Sequence, residues 1–96
     1  AGDQITPANY DLISTEGESV TLSCTYDTSS DNIDLHWYRH YPNQAPQFIL
    51  WKGARSDTTE YIPDKRYKST TSKTSTKLII QQLILSDTAL YYCTTD

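Results

Sequence analysis

The chain has 96 residues, 36% of them hydrophobic, with 12 acidic against 8 basic side chains and a net charge of -4. That length makes one domain, 1–96, with room for a core but little stability in reserve. The basic residues are scattered apart from Lys65, Arg66 and Lys68, which excludes the basic stripe of a nucleic-acid binder, and the longest apolar runs, Phe48 to Trp51 and Leu78 to Ile80, fall far short of a membrane span. No charged and then apolar leader precedes Gln4, so a mature or truncated form is expected. Asn9, Asn32 and Asn43 all lack the hydroxyl residue of a glycosylation sequon.

In chain order, residues 1–14 read as a short edge strand interrupted at Pro7, because proline donates no ladder hydrogen bond. Thr15 to Glu18 is a turn, with Gly17 free to take positive φ. Ser19 to Tyr26 alternates strictly: Val20, Leu22, Cys24 and Tyr26 share one face, and hydroxyl residues share the other. That pattern predicts a strand with one buried face. Asp27 to Asn32 is a polar loop. In the strand Ile33 to Tyr41, Ile33, Leu35 and Trp37 point inward, so His36, Tyr38 and His40 point outward together. A proline-bounded turn, Tyr41 to Pro46, leads to the strand Gln47 to Trp51, whose outward set is Pro46, Phe48 and Leu50. Lys52 to Thr58 reads as a loop centred on Gly53. Thr59 to Ile62 is a short strand closed by Pro63. Arg66 to Thr70 and Thr76 to Gln81 form a hairpin, with Tyr67, Leu78, Ile80 and Leu83 at core spacing. Ser86 to Thr88 turns into the last strand, Ala89 to Thr94. Short strands with turns about every 8–12 residues predict an all-β sandwich.

Cys24, Trp37 and the run Asp87-Thr88-Ala89-Leu90-Tyr91-Tyr92-Cys93 together carry the pattern Cys…Trp…Asp-x-Ala-x-Tyr-x-Cys, which resembles the signature of an immunoglobulin-type sandwich. The resemblance implies a Cys24–Cys93 bridge between the sheets with Trp37 packed on it. It places Tyr91 at a tyrosine corner, its hydroxyl bonded to upstream backbone. It also implies an Arg66–Asp87 pair closing one end of the sandwich. Such a bridge fits an oxidising compartment; the alternative is a pair of reduced buried thiols in a cytosolic protein.

Little here suggests chemistry. His36 and His40, the only two histidines, lie about 13 Å apart if extended at roughly 3.3 Å per residue, too far to share one metal. Asp27, Asp31 and Asp34 lack the glycine of a calcium loop. With both cysteines bridged no thiol nucleophile remains, and there is neither a Gly-x-Ser-x-Gly elbow nor a phosphate loop. No cofactor, metal site or enzymatic activity is expected. The stronger signal is a surface. His36, Tyr38, His40, Pro46, Phe48, Leu90 and Tyr92 converge on one sheet face, and contiguous apolar surface rimmed by polar residues marks a protein interface.

Trp37-Tyr38-Arg39-His40-Tyr41-Pro42, then Ala45-Pro46-Gln47-Phe48-Ile49-Leu50, then Asp87 to Cys93, resemble a T-cell receptor variable domain, in the form typical of alpha or delta chains. Gln4 to Pro7 and Glu16 to Cys24 agree. The resemblance implies a V-type Greek-key β-sandwich of two antiparallel sheets. It implies antigen recognition by a heterodimer: the outward patch meets a second variable domain, beta or gamma chain-like. The binding end would hold Thr28, Ser29, Ser30, Asp31 and Asn32; then Lys52, Gly53, Ala54, Arg55, Ser56 and Asp57; then Thr94, Thr95 and Asp96. The ligand would be peptide–MHC or a related molecule, and the parent receptor would be membrane-anchored, with this domain on the extracellular side of the plasma membrane.

Two departures from the family stand out. His40 replaces the usual glutamine that pairs across the interface, which would make the contact pH-sensitive near histidine's reference pKa of about 6.5. The sequence ends at Asp96 without the joining segment and Phe-Gly-x-Gly, so the last strand is expected to be missing. The strand Ala89 to Thr94 would then be an open edge, inviting self-association through that edge or the sheet face. Two other readings are a non-rearranging innate or adhesion receptor domain and a surrogate receptor chain that contacts no antigen.

Overall fold

In a computed structural model, residues 4–5 and 9–95 are described; the predicted interruption at Pro7 and the loop residue Asp96 lie outside them. The strands are β1 (Gln4–Ile5), β2 (Tyr10–Leu12), β3 (Val20–Asp27), β4 (Asn32–His40), β5 (Gln47–Arg55), β6 (Glu60–Tyr61), β7 (Tyr67–Thr71), β8 (Ser75–Ile80) and β9 (Ala89–Thr95). A single 3-10 turn, Leu85–Asp87, precedes β9. One sheet runs β1-β3-β8-β7 and the other β2-β9-β4-β5-β6, with every pair antiparallel. This is the two-sheet sandwich that the strand pattern predicts, in the V-type form that the family resemblance implies. The N-terminal segment serves both sheets, β1 joining β3 and β2 joining β9.

The core forms where the inward rows of the two sheets meet. Leu22, Trp37, Leu50, Leu78, Ile80, Leu83 and Tyr91 pack into one cluster around the Cys24–Cys93 bridge. Its centre is a closed four-residue arrangement. Cys24 lies opposite Thr76 in one sheet, and Trp37 lies opposite Cys93 in the other. The disulfide joins the two sheets on one side of this arrangement. On the other side, the Trp37 indole N–H donates to Thr76 Oγ1 at 3.4 Å. The indole thereby fills the space beside the sulfurs and satisfies its own donor, as a buried Trp must.

The end opposite the β3–β4 loop is closed by polar groups. Arg66 Nη2 donates to Asp87 Oδ2 at 2.5 Å, and the Ile84 amide donates to the same oxygen at 2.9 Å. Tyr91 Oη donates to the Asp87 carbonyl at 2.6 Å. Asp87 is almost wholly buried, and the donors to its Oδ2 offset part of the cost of burying it. Gly17 has φ 83° and donates its amide to Leu83 O at 2.8 Å, a left-handed turn that favours glycine.

Burial pushes the Tyr91 phenol well above the ordinary tyrosine range, and burial also raises Tyr67, opposed by the nearby Arg39. In the unfolded chain both ionise near a pKa of about 10. Their raised folded values therefore contribute stability that is present below about pH 10 and is lost as pH rises through those values. The melting temperature is expected to fall steeply above about pH 10, and less steeply in Tyr91→Phe, which cannot ionise. Melting curves between pH 8 and 11 check this; equal slopes for the two proteins would refute it.

Three sequence expectations change. Leu50 is buried, not outward. Trp37 pairs with Leu50 but Tyr38 with Phe48, so Ile49 is the extra residue of a β-bulge. The bulge turns both Ile49 and Leu50 into the core. Lys52, Gly53, Ala54 and Arg55 are not loop: β5 continues through them, paired with Asn32 to Leu35. Gly53 belongs in this strand because a Cβ there would stand 2.4 Å from Asp57 Cγ, a close approach only glycine permits. Thirdly, β9 is not an open edge along its first half. Tyr10, Asp11 and Leu12 pair with Tyr91, Leu90 and Ala89, so the chain's own N-terminal segment covers the ladder groups there.

Candidate functional site

Two surfaces stand out, and the sheet topology builds both. The first is the outer face of the β2-β9-β4-β5-β6 sheet. Register places His36, Tyr38 and His40 of β4 opposite Thr94, Tyr92 and Leu90 of β9. On the other side of β4, Tyr38 faces Phe48 and His36 faces Trp51. The rings touch in a continuous row. Tyr38 stacks on Tyr92 at 5.4 Å between centroids and meets Phe48 edge-on at 5.9 Å. His36 lies 6.0 Å from Phe48 and 6.4 Å from Tyr38. Phe48 stacks on Tyr61 at 6.1 Å. Phe48 is 40% and Tyr61 53% exposed. Each aromatic pair contributes roughly 0.5–1.5 kcal/mol beyond area burial, so the row is held in place before anything binds it.

Tyr61 and Trp51 were not singled out in the sequence. Tyr61 sits on a strand of two residues, too short to show a period, and its place follows only from pairing with Trp51. Pro46 is exposed at the start of this face. At its far end an apolar groove of about 560 Å³ runs between Ile13, His40, Pro42 and Leu90. His40 Nε2 lies 2.7 Å from Gln44 O, so one edge of the ring is fixed to its own turn while the ring lines the groove.

The second surface is the end formed by the β3–β4 loop, the β5–β6 loop and the β7–β8 turn. Thr28 to Asp31 form the first of these; Asn32 already belongs to β4. Thr28 is buried, its hydroxyl accepting the Ser30 amide at 3.1 Å. Ser30 Oγ donates to Asn32 O at 2.7 Å. Ser56 and Asp57 are in the second loop. Asp57 Oδ1 accepts the Thr59 amide at 2.9 Å and the Thr59 hydroxyl at 2.5 Å. Hydrogen bonding with the Asp34 side chain first, and with Thr59 next, holds the Asp57 carboxyl below the usual range. Thr94 and Thr95 close β9 rather than forming loop, since they still pair with His36 and Leu35.

Arg55 differs most from its expected role. Its guanidinium is occupied within the chain: Nη1 donates to Thr28 O at 2.8 Å and Ser30 O at 2.7 Å, and Nη2 donates to Lys73 O at 2.9 Å. The Ser72–Thr74 turn, which sequence reasoning read only as a hairpin connection, is thereby drawn into this end. A polar hollow lined by Asp31, Lys52, Asp57 and Lys73 lies among these segments. Among the described residues no cluster of three or more His, Cys, Asp or Glu side chains suits a metal. No helix there is long and apolar enough to cross a membrane.

Comparison with known proteins agrees with this geometry. Residues 8–96 match the family model of the immunoglobulin V-set domain. The chain is 33% identical to human T cell receptor alpha variable 38-1, across 93% of this chain and 77% of that protein. It is 35% identical to human T cell receptor alpha variable 26-1, across 81% and 69%. To human T cell receptor alpha variable 14/delta variable 4 it is 32% identical, across 94% and 78%.

Proposed function

The chain belongs to the immunoglobulin V-set family, as an antigen-receptor variable domain of the T-cell receptor alpha or delta kind and not an enzyme, and from that premise we propose that it pairs through the aromatic sheet face with a second variable domain and recognises a presented ligand with the loops at one end. The observation that carries the reading is the contiguous ring row from Tyr92 through Tyr38 and Phe48 to Tyr61. Interfaces are enriched in such rigid aromatics at their centre, and the remaining outward positions of this sheet, His36, His40, Pro46 and Leu90, extend the patch. The partner is a beta or gamma chain-like variable domain, with a second copy of this chain as the competing occupant. Loops held on a rigid sandwich suit recognition. Thr28 to Asp31 and Ser56 to Asp57, with Thr94 and Thr95 alongside, form the contact set for peptide–MHC or a related molecule. The domain lies on the extracellular side of the plasma membrane as part of an anchored receptor.

Light scattering after gel filtration tests the pairing. The chain mixed with beta- and gamma-type variable domains at tens of micromolar is expected to give a one-to-one complex with one of them. Separate monomers in every mixture would overturn the pairing, and a homodimer that no added domain displaces would replace the partner with a second copy.

A further inference from the structure

We infer that Arg55 is a positioning residue for the binding end, fixing the Thr28–Asp31 loop and the Ser72–Thr74 turn against β5 so that three chain segments present one surface, an inference that rests on the recognition role proposed above. Arg55 is the last residue of β5 and adopts φ 61°. A non-glycine residue in the left-handed region carries strain of order 1 kcal/mol or more, and it persists only where the surroundings over-determine it. Here the guanidinium does so. Nη1 bridges the carbonyls of Thr28 and Ser30, while Nη2 and Nε both reach Lys73 O, at 2.9 and 3.2 Å. The same plane lies over the Tyr26 ring at 5.6 Å.

The neighbours complete the clamp. Ser56 donates to Asp31 O from its amide at 2.9 Å and from its hydroxyl at 2.7 Å. Tyr26 holds the turn from beneath, its hydroxyl donating to Ser72 O at 2.5 Å and its amide to Thr74 O at 2.9 Å. The two segments that Arg55 joins come from different connections: one links β3 to β4, the other β7 to β8. Arg55 bonds to both, and Tyr26 of β3 bonds to the second. A planar fork with five donors can serve carbonyls on both sides at once, whereas a lysine ammonium is a point charge. Pre-ordering loops before binding lowers the entropy cost of binding.

Amide hydrogen exchange on the unliganded chain tests this. In Arg55→Lys and Arg55→Gly, exchange at Ser30, Ser56 and Ser72 is expected to rise about tenfold, a decade of local opening. Exchange at Leu78 and Cys93 in the core is expected to stay unchanged. The glycine variant matters because it relieves the left-handed strain yet lacks the fork. Loop exchange unaltered in both variants would overturn the assignment. So would an equal rise in the core strands, which would make Arg55 a general stability residue. The measurement needs no ligand, so its result is separate from whether the loops recognise peptide–MHC.

Discussion

Replacing Cys24 and Cys93 together by alanine is expected to lower the free energy of unfolding by about 4 kcal/mol, most of it through the unfolded chain. The bridge joins residues separated by 69 positions. Freeing a loop of that size returns roughly 4 kcal/mol of chain entropy to the unfolded state. The native state loses as well, because the sulfurs lie beside Trp37 in the fully packed centre and leave a gap that the sheets cannot close. Set against a total stability of about 5–15 kcal/mol for a domain, the loss is a large fraction. It corresponds to a fall in melting temperature of roughly 15–30 °C for a chain of this size. Urea unfolding of the double variant checks it. A loss below about 1 kcal/mol would mean that the Trp37–Thr76 contact and the apolar rows hold the sheets together without the bridge.

The second large effect concerns pairing. Tyr38→Asp is expected to weaken association with the partner domain at least about a hundredfold, equivalent to roughly 2.7 kcal/mol. Tyr38 is the hub of the row, in ring contact with His36, Phe48 and Tyr92. Removing it deletes the anchor, and the new carboxylate is buried unpaired when the partner closes over it. The fold is expected to tolerate the change, because Tyr38 points away from the core and its neighbours Trp37 and Arg39 keep their contacts. Calorimetric titration gives the affinity and a melting curve gives the control. Unchanged affinity in a folded variant would place the interface elsewhere.

How much of this was legible beforehand varies from strand to strand for physical reasons. In β3 and the first half of β4, polar and apolar residues alternate, so the period of two fixed both the strand and its buried face. The run Asp87 to Cys93 was equally legible, because several of its residues answer to separate constraints: an ion pair, a corner hydrogen bond and a disulfide. β5 was not. Phe48 to Trp51 is apolar throughout, so the pattern carries no phase and cannot announce a bulge at Ile49. Gly53 suggested a turn, but its missing side chain makes room for Asp57 rather than for a change of direction. Arg55 resembled an exposed contact residue because its carbonyl partners are distant in sequence. The pairing of β2 with β9 is likewise a long-range choice that local propensity does not encode.

A second variable domain is expected to sit on the aromatic face. Amide hydrogen exchange of the chain, free and in complex, tests it most directly. New protection is expected in β4 around His36 to His40, at Phe48, at Tyr61 and at Leu90 to Tyr92, with none on the outward residues of β3 and β8. Protection confined to Thr21, Ser23, Lys77 and their neighbours on the opposite sheet would contradict it.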